Sequence, residues 1–172
     1  MMILNPDLAG TRLKPHTTTI TMRQTTNHAA AVFDNNPRYV DDTSEEGLIS
    51  HPLFPVAVTW PLLSRLETFI DGDDFPEEVL LTQVHYSEHL ILNRPIRPDD
   101  VLTIKGTLKA FIPHRAGTHA VIGLEAFDES GAPVFTEYAG AMLRGVDCGK
   151  GAVTGTIPAA PENDKGNAPP VW

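Results

Sequence analysis

The clearest periodicity in the chain is VLTIKGTLKA, residues 101–110. Leu102, Ile104, Leu108 and Ala110 alternate with Thr103, Lys105, Thr107 and Lys109, the period-two pattern of a strand with one buried face. The same reading extends across residues 79–146. VLLTQVHYSEHLIL precedes this stretch, and THAVIGLEAF and APVFTEYAGAMLRG follow it. NRPIRPDD, PHRAG and DESG separate them as turns and connections. Four antiparallel strands are predicted.

Upstream the period changes. In LFPVAVTWPLLSRLETFI, residues 53–70, Leu62, Leu63, Leu66, Phe69 and Ile70 fall on one helical face with the charges opposite. Pro61 either opens this helix at its first turn or interrupts a longer one starting near Phe54. HTTTITM, residues 16–22, reads as a short strand, and TTNHAAAVF, residues 25–33, as a short helix ended by Asp34-Asn35-Asn36-Pro37. Residues 1–15 read as an N-terminal arm and 16–146 as one domain. Residues 147–172 read as a flexible Gly/Pro/Ala-rich tail, with Trp172 able to dock. The fold class is α+β, an antiparallel sheet wrapped around a long central helix. Ala139-Gly140-Ala141 is expected to let that helix approach the sheet closely.

Composition narrows the function classes. The 172 residues carry 22 acidic against 13 basic side chains, a net charge of −9, so the average field repels nucleic acid and anionic membranes. A single cysteine, Cys148, excludes an internal disulfide framework and a CxxC metal site. No metal is expected from the seven histidines: His85 and His89 share a strand face, but four residues of strand span ~13 Å. No apolar run approaches the ~18 residues of a membrane span, and the N-terminus lacks the order of a secretory signal. The expected location is cytoplasmic.

Four stretches then carry a resemblance: HAAAVFDNNPRYVDD, GLISHPLF, NRPIRPDDVLTIKGTL and FDESGAPVFTEYAGAMLRG. Over residues 16–146 the chain resembles the MaoC-like hot-dog domains of (R)-specific enoyl-thioester hydratases and 3-hydroxyacyl-thioester dehydratases. It is most similar to their non-catalytic halves. The family motif Gly-Asp-x-Asn-Pro-x-His-x-Asp falls on Phe33, Asp34, Asn36, Pro37, Tyr39 and Asp41, with Phe33 in the glycine position and Tyr39 in the histidine position. His51-Pro52 stands at the family's His-Gly pair.

The resemblance implies catalytic positions at Asp34, Tyr39 and His51, in vestigial form. Tyrosine, with an ordinary pKa of ~10, is a poor general base where the family uses an imidazole. The family's glycine donates its N–H to the thioester oxygen, and proline has none to donate. Losing one such donor typically costs ~10²–10³ in rate. Tyr39 is expected to fill the vacated pocket with its hydroxyl on Asp34. Asn36 and Pro52 are expected beside the substrate, and Arg94, Arg97 and Arg115 against the phosphates of coenzyme A or a carrier arm. No cofactor is implied beyond that thioester carrier.

The implied function is a subunit of such a hydratase or dehydratase, its degenerate half, shaping the acyl tunnel beside a catalytic hot-dog chain. The alternatives are a self-sufficient homodimeric enoyl-CoA hydratase using Asp34 with altered chemistry, and a non-enzymatic acyl-thioester-binding module.

Overall fold

The computed structural model describes residues 2–71 and 75–159. Its centre is a six-stranded antiparallel sheet of β2 (His16–Thr19), β4 (Val101–His114), β5 (Gly117–Phe127), β6 (Pro133–Arg144), β3 (Gln83–Leu92) and β8 (Ala152–Val153). Five strands run in the order β2-β4-β5-β6-β3, and β8 pairs with β4. The alternation read from residues 101–110 holds: Leu102, Ile104, Leu108 and Ala110 are all buried. A bulge between Leu108 and Ala110 leaves Lys109 lying over Gly123, where a Cβ would collide with its aliphatic stem.

Against the sheet packs α3 (Phe54–Leu63), which begins near Phe54 and contains Pro61 in its interior. Proline has no N–H for the preceding turn, and the helix ends two residues later. A short second helix, α4 (Leu66–Phe69), continues the apolar stripe. Phe54, Val58, Leu62 and Leu66 lie four residues apart and are buried in one core with Ile104, Leu108, Leu124 and Phe135. Each such apolar side chain contributes roughly 1.5–3 kcal/mol of burial. The long helix expected over 53–70 is thus two helices with one continuous buried face.

Other boundaries differ in instructive ways. The strand expected over 16–22 stops at Thr19, because Thr21 caps α1 (Met22–Ala31). Its hydroxyl accepts the Gln24 N–H while the Gln24 side chain accepts the Thr21 N–H. Gly140 serves the face away from α3: a Cβ there would strike Ser87 Oγ on β3 and His119 Nε2 on β5. Its flanking alanines, Ala139 and Ala141, line a cleft with Trp60 and Leu63.

The described segments on either side of the domain join the packed body. β1 (Met2–Ile3) pairs in parallel with β7 (Val146–Asp147), and Leu4, Leu13 and Cys148 are buried. The arm and the first residues of the tail are therefore structural parts of the fold. Trp172 lies outside the described residues. No helix among the described residues is long and apolar enough to cross a membrane.

Candidate active site

The motif residues meet where α1, a one-turn helix α2 (Pro37–Val40) and the lead-in to α3 converge. Two residues beyond the end of α1, Phe33 adopts φ 58° and is 91% exposed. This left-handed turn suits the glycine that the motif has here, and a β-carbon makes it costly. Asp34 Oδ1 then accepts the Asn36 N–H at 3.0 Å, and Asn36 Oδ1 accepts the Arg38 N–H at 3.1 Å. Asn36 thus caps α2, with Pro37 preset for its first turn.

This folding brings Asp34 and His51 together. Asp34 Oδ2 lies 3.6 Å from His51 Nε2, with the histidine side chain 15% exposed and the aspartate 38%. His51 Nδ1 accepts the Leu53 N–H at 3.1 Å, so the ring proton resides on Nε2 and faces the carboxylate. Tyr39 does not hydrogen-bond to Asp34. Its ring stands edge-on to His51 with centroids 5.5 Å apart, because α2 turns it toward the imidazole.

A third ring, His28 on α1, was not singled out by the sequence. Its centroid lies 5.6 Å from His51 and 5.5 Å from Phe54. Burial, reinforced by the neighbouring His51, pushes its pKa below the ordinary histidine range, and its Nε2 is buried without a partner. A histidine on an otherwise apolar alanine run was the available signal.

The backbone at the start of α3 presents no free donor over residues 52–55. Pro52 and Pro55 have no N–H. The Leu53 N–H is held by His51 Nδ1, and the Phe54 N–H donates to the His51 carbonyl at 2.9 Å. Pro52 and Pro55 line, with Tyr39, His51, Leu92 and Arg94, a cleft of about 220 Å³.

The arginines divide. Arg94 reaches this cleft, but its guanidinium grips Asp100 at 2.8 and 3.1 Å and Asp128 at 3.5 Å. The Asp100 hydrogen bonds raise its pKa further. Arg97 Nη1 donates to the Glu46 and Leu48 carbonyls, pinning the acidic loop. Arg115 sits in the β4–β5 turn, beside the Arg144 end of β6, whereas Leu92 of the cleft pairs with Phe135 at the other end. Nine residues of strand separate those ends by about 30 Å.

One further buried group escaped the sequence reading. Glu137 on β6 is fully buried and accepts the Thr59 hydroxyl of α3 at 2.7 Å, while its Oε1 has no partner. Burial pushes its pKa up to about 8, opposed by the Thr59 hydrogen bond and aided by the charge of Glu88 on β3. Its signal was positional: Glu137 shares a strand face with Phe135 and Ala139, both buried.

The FAS1-like, dehydratase domain region family matches residues 7–137, most of the chain. The chain belongs to this family. Solved structures give the fold of this dehydratase-region domain as the hot dog of MaoC-like hydratases and dehydratases. The unliganded R-hydratase PhaJ1 from Pseudomonas aeruginosa superposes with a TM-score of 0.59 at 17% identity, covering 89% of this chain and 90% of that one. The HadBC 3R-hydroxyacyl-ACP dehydratase complex from Mycobacterium tuberculosis gives 0.65 at 15% identity, covering 80% and 98%. A MaoC-like dehydratase from Phytophthora capsici gives 0.72 at 20% identity, covering 91% of this chain but 54% of that longer one. No curated protein matches the sequence.

Proposed function

We propose that this chain is a subunit of an (R)-specific enoyl-thioester hydratase or 3-hydroxyacyl-thioester dehydratase, the half that shapes the acyl tunnel beside a catalytic hot-dog partner. The observation that carries this reading is the lead-in to α3. Hydration places negative charge on the thioester oxygen, and a preorganised N–H must meet it. Over residues 52–55 two N–H groups are missing and two are committed to His51.

The bases support the same reading. Taking a proton from water requires a free lone pair. His51 has its one lone pair on Nδ1, capped by Leu53, and its Nε2–H points at Asp34. Tyr39 offers a phenol where an imidazole is needed. What remains is a lined cleft with a rigid rim, suited to holding an acyl thioester, carried by coenzyme A or a carrier protein, without transforming it. The likeness to HadBC, itself a complex, supports a two-chain assembly.

One contact favours a second reading. His51 Nε2–H facing Asp34 could orient that carboxylate to accept a proton from water, giving a self-sufficient hydratase. Steady-state hydration of crotonyl-CoA by the purified chain separates the two. The subunit reading predicts no turnover by wild type, Asp34→Asn or His51→Ala. The second predicts turnover by wild type that falls at least ~10²-fold in Asp34→Asn.

A further inference from the structure

β3 is one edge of the sheet. Among the described residues it pairs only with β6, spans ten residues, and carries no lysine or proline. Val84, Tyr86, Ile91 and Leu92 are each more than 40% exposed along it, and Trp60 of α3 is 62% exposed. A long apolar edge of this kind invites another strand, and natural edges left uncovered are usually guarded by charge, proline or short length. Here one charge sits near the middle, Glu88.

Glu88 pairs in register with Ala139, and Leu90 with Glu137, so both carboxyl groups occupy the sheet face that meets α3. Glu88 remains exposed at the open edge as a residue, yet partial burial of its carboxyl group raises its pKa to about 7. Glu137 lies behind it with Oε1 unpartnered. α3 brings no charged residue to this seam, and neither carboxyl forms an ion pair among the described residues. The edge therefore offers a strand-long hydrogen-bonding ladder with an uncompensated acidic centre.

Symmetry decides who fits. If two copies paired antiparallel through β3 with both helices on one side, residues facing each other would share a face. The register of near-maximal overlap then places Glu88 opposite its own mate, or one same-face position away. Directly opposite side chains have Cβ atoms about 5 Å apart, and like charges there destabilise the pair. We propose that the β3 edge is built to receive the edge strand of a different hot-dog chain carrying lysine or arginine opposite Glu88, and that Glu88 disfavours pairing of this chain with itself. The inference rests on the two-chain reading above and names the chemistry of the missing half.

A second copy with its charge reversed supplies the test. At a pH well above 7, where Glu88 is ionised, ¹⁵N-labelled wild type is mixed in equal amounts with Glu88→Lys, and dimers are counted by native mass spectrometry, with Kd measured by analytical ultracentrifugation. The mixed dimer is expected to exceed its statistical half share, with a Kd about fivefold or more below that of the wild-type homodimer. Glu88→Gln, which removes charge with little change of shape, is expected to tighten the homodimer and carries the test if the lysine variant fails to fold. A statistical mixture, a wild-type homodimer unaffected by Glu88→Gln, or no association in either mixture would overturn the proposal. Turnover by the purified wild type would instead sink the subunit reading, so the two failures are distinguishable.

Discussion

Two carboxyl groups flank α3, and their surroundings are opposites. Asp34 sits at the helix start, 38% exposed, tied to its own turn by the Asn36 N–H and facing His51 at 3.6 Å. Glu137 sits beside the helix middle, fully buried, held by Thr59 at 2.7 Å and crowded by Glu88. The motif end keeps the appearance of an active site but is open and short of donors. The seam has no motif, yet it holds the more unusual electrostatics. A recognisable motif therefore marks where a family's chemistry sits, whereas burial marks where this molecule bears an electrostatic penalty, and the two need not coincide.

The contrast is broken most strongly at Thr59. Thr59→Val removes the one donor to a buried carboxyl, and the expected loss is about 1–3 kcal/mol, read as a lower urea midpoint with unchanged slope. A loss below ~0.5 kcal/mol would mean that Glu137 finds water or another partner. The pH dependence comes next. Glu137 ionises near 4.5 when unfolded and near 8 when folded, so the folded chain holds the extra proton between those values. Its contribution is fully present below about pH 4.5 and is lost as pH rises through 8. Urea unfolding across that range should show stability declining with pH, and a shallower decline in Glu137→Gln. The smallest effect belongs to the motif end. Phe33→Gly relieves a left-handed backbone under an exposed ring, partly offset by unfolded-state entropy, and should raise stability by up to ~1 kcal/mol in the same assay. A decrease would mean that the ring is packed.

How much of this was legible follows from the range of each cause. The strand alternation at Leu102–Ala110 and the stripe through Leu62, Leu63, Leu66, Phe69 and Ile70 are local patterns; the strand buries as read, and in the stripe Leu62, Leu66 and Ile70 are buried while Leu63 and Phe69 are half-buried against the core. The break after Leu63 depends on Pro61, whose two possible roles sequence left open. The motif's identity was readable, and so was the missing Pro52 N–H. The commitment of the Leu53 N–H to His51 was not, because it depends on a side-chain rotamer. Arg94 read as a free cation because the turn that folds Asp100, six residues on, back onto its guanidinium is a matter of backbone geometry, and Glu137 drew no notice because its partner Thr59 lies 78 residues away. The ends read as loose because pairing of Met2–Ile3 with Val146–Asp147 spans nearly the whole described chain.

The central claim, that the site at the start of α3 has lost hydration chemistry, is tested most directly under single-turnover conditions. The purified chain is placed in excess over crotonyl-CoA, and the absorbance of the enoyl thioester is followed beside Asp34→Asn. The account predicts the same slow background decay for both proteins and for buffer. A clear exponential loss with wild type, absent in Asp34→Asn, would show that Tyr39 and Pro52 leave a working site, and would contradict it.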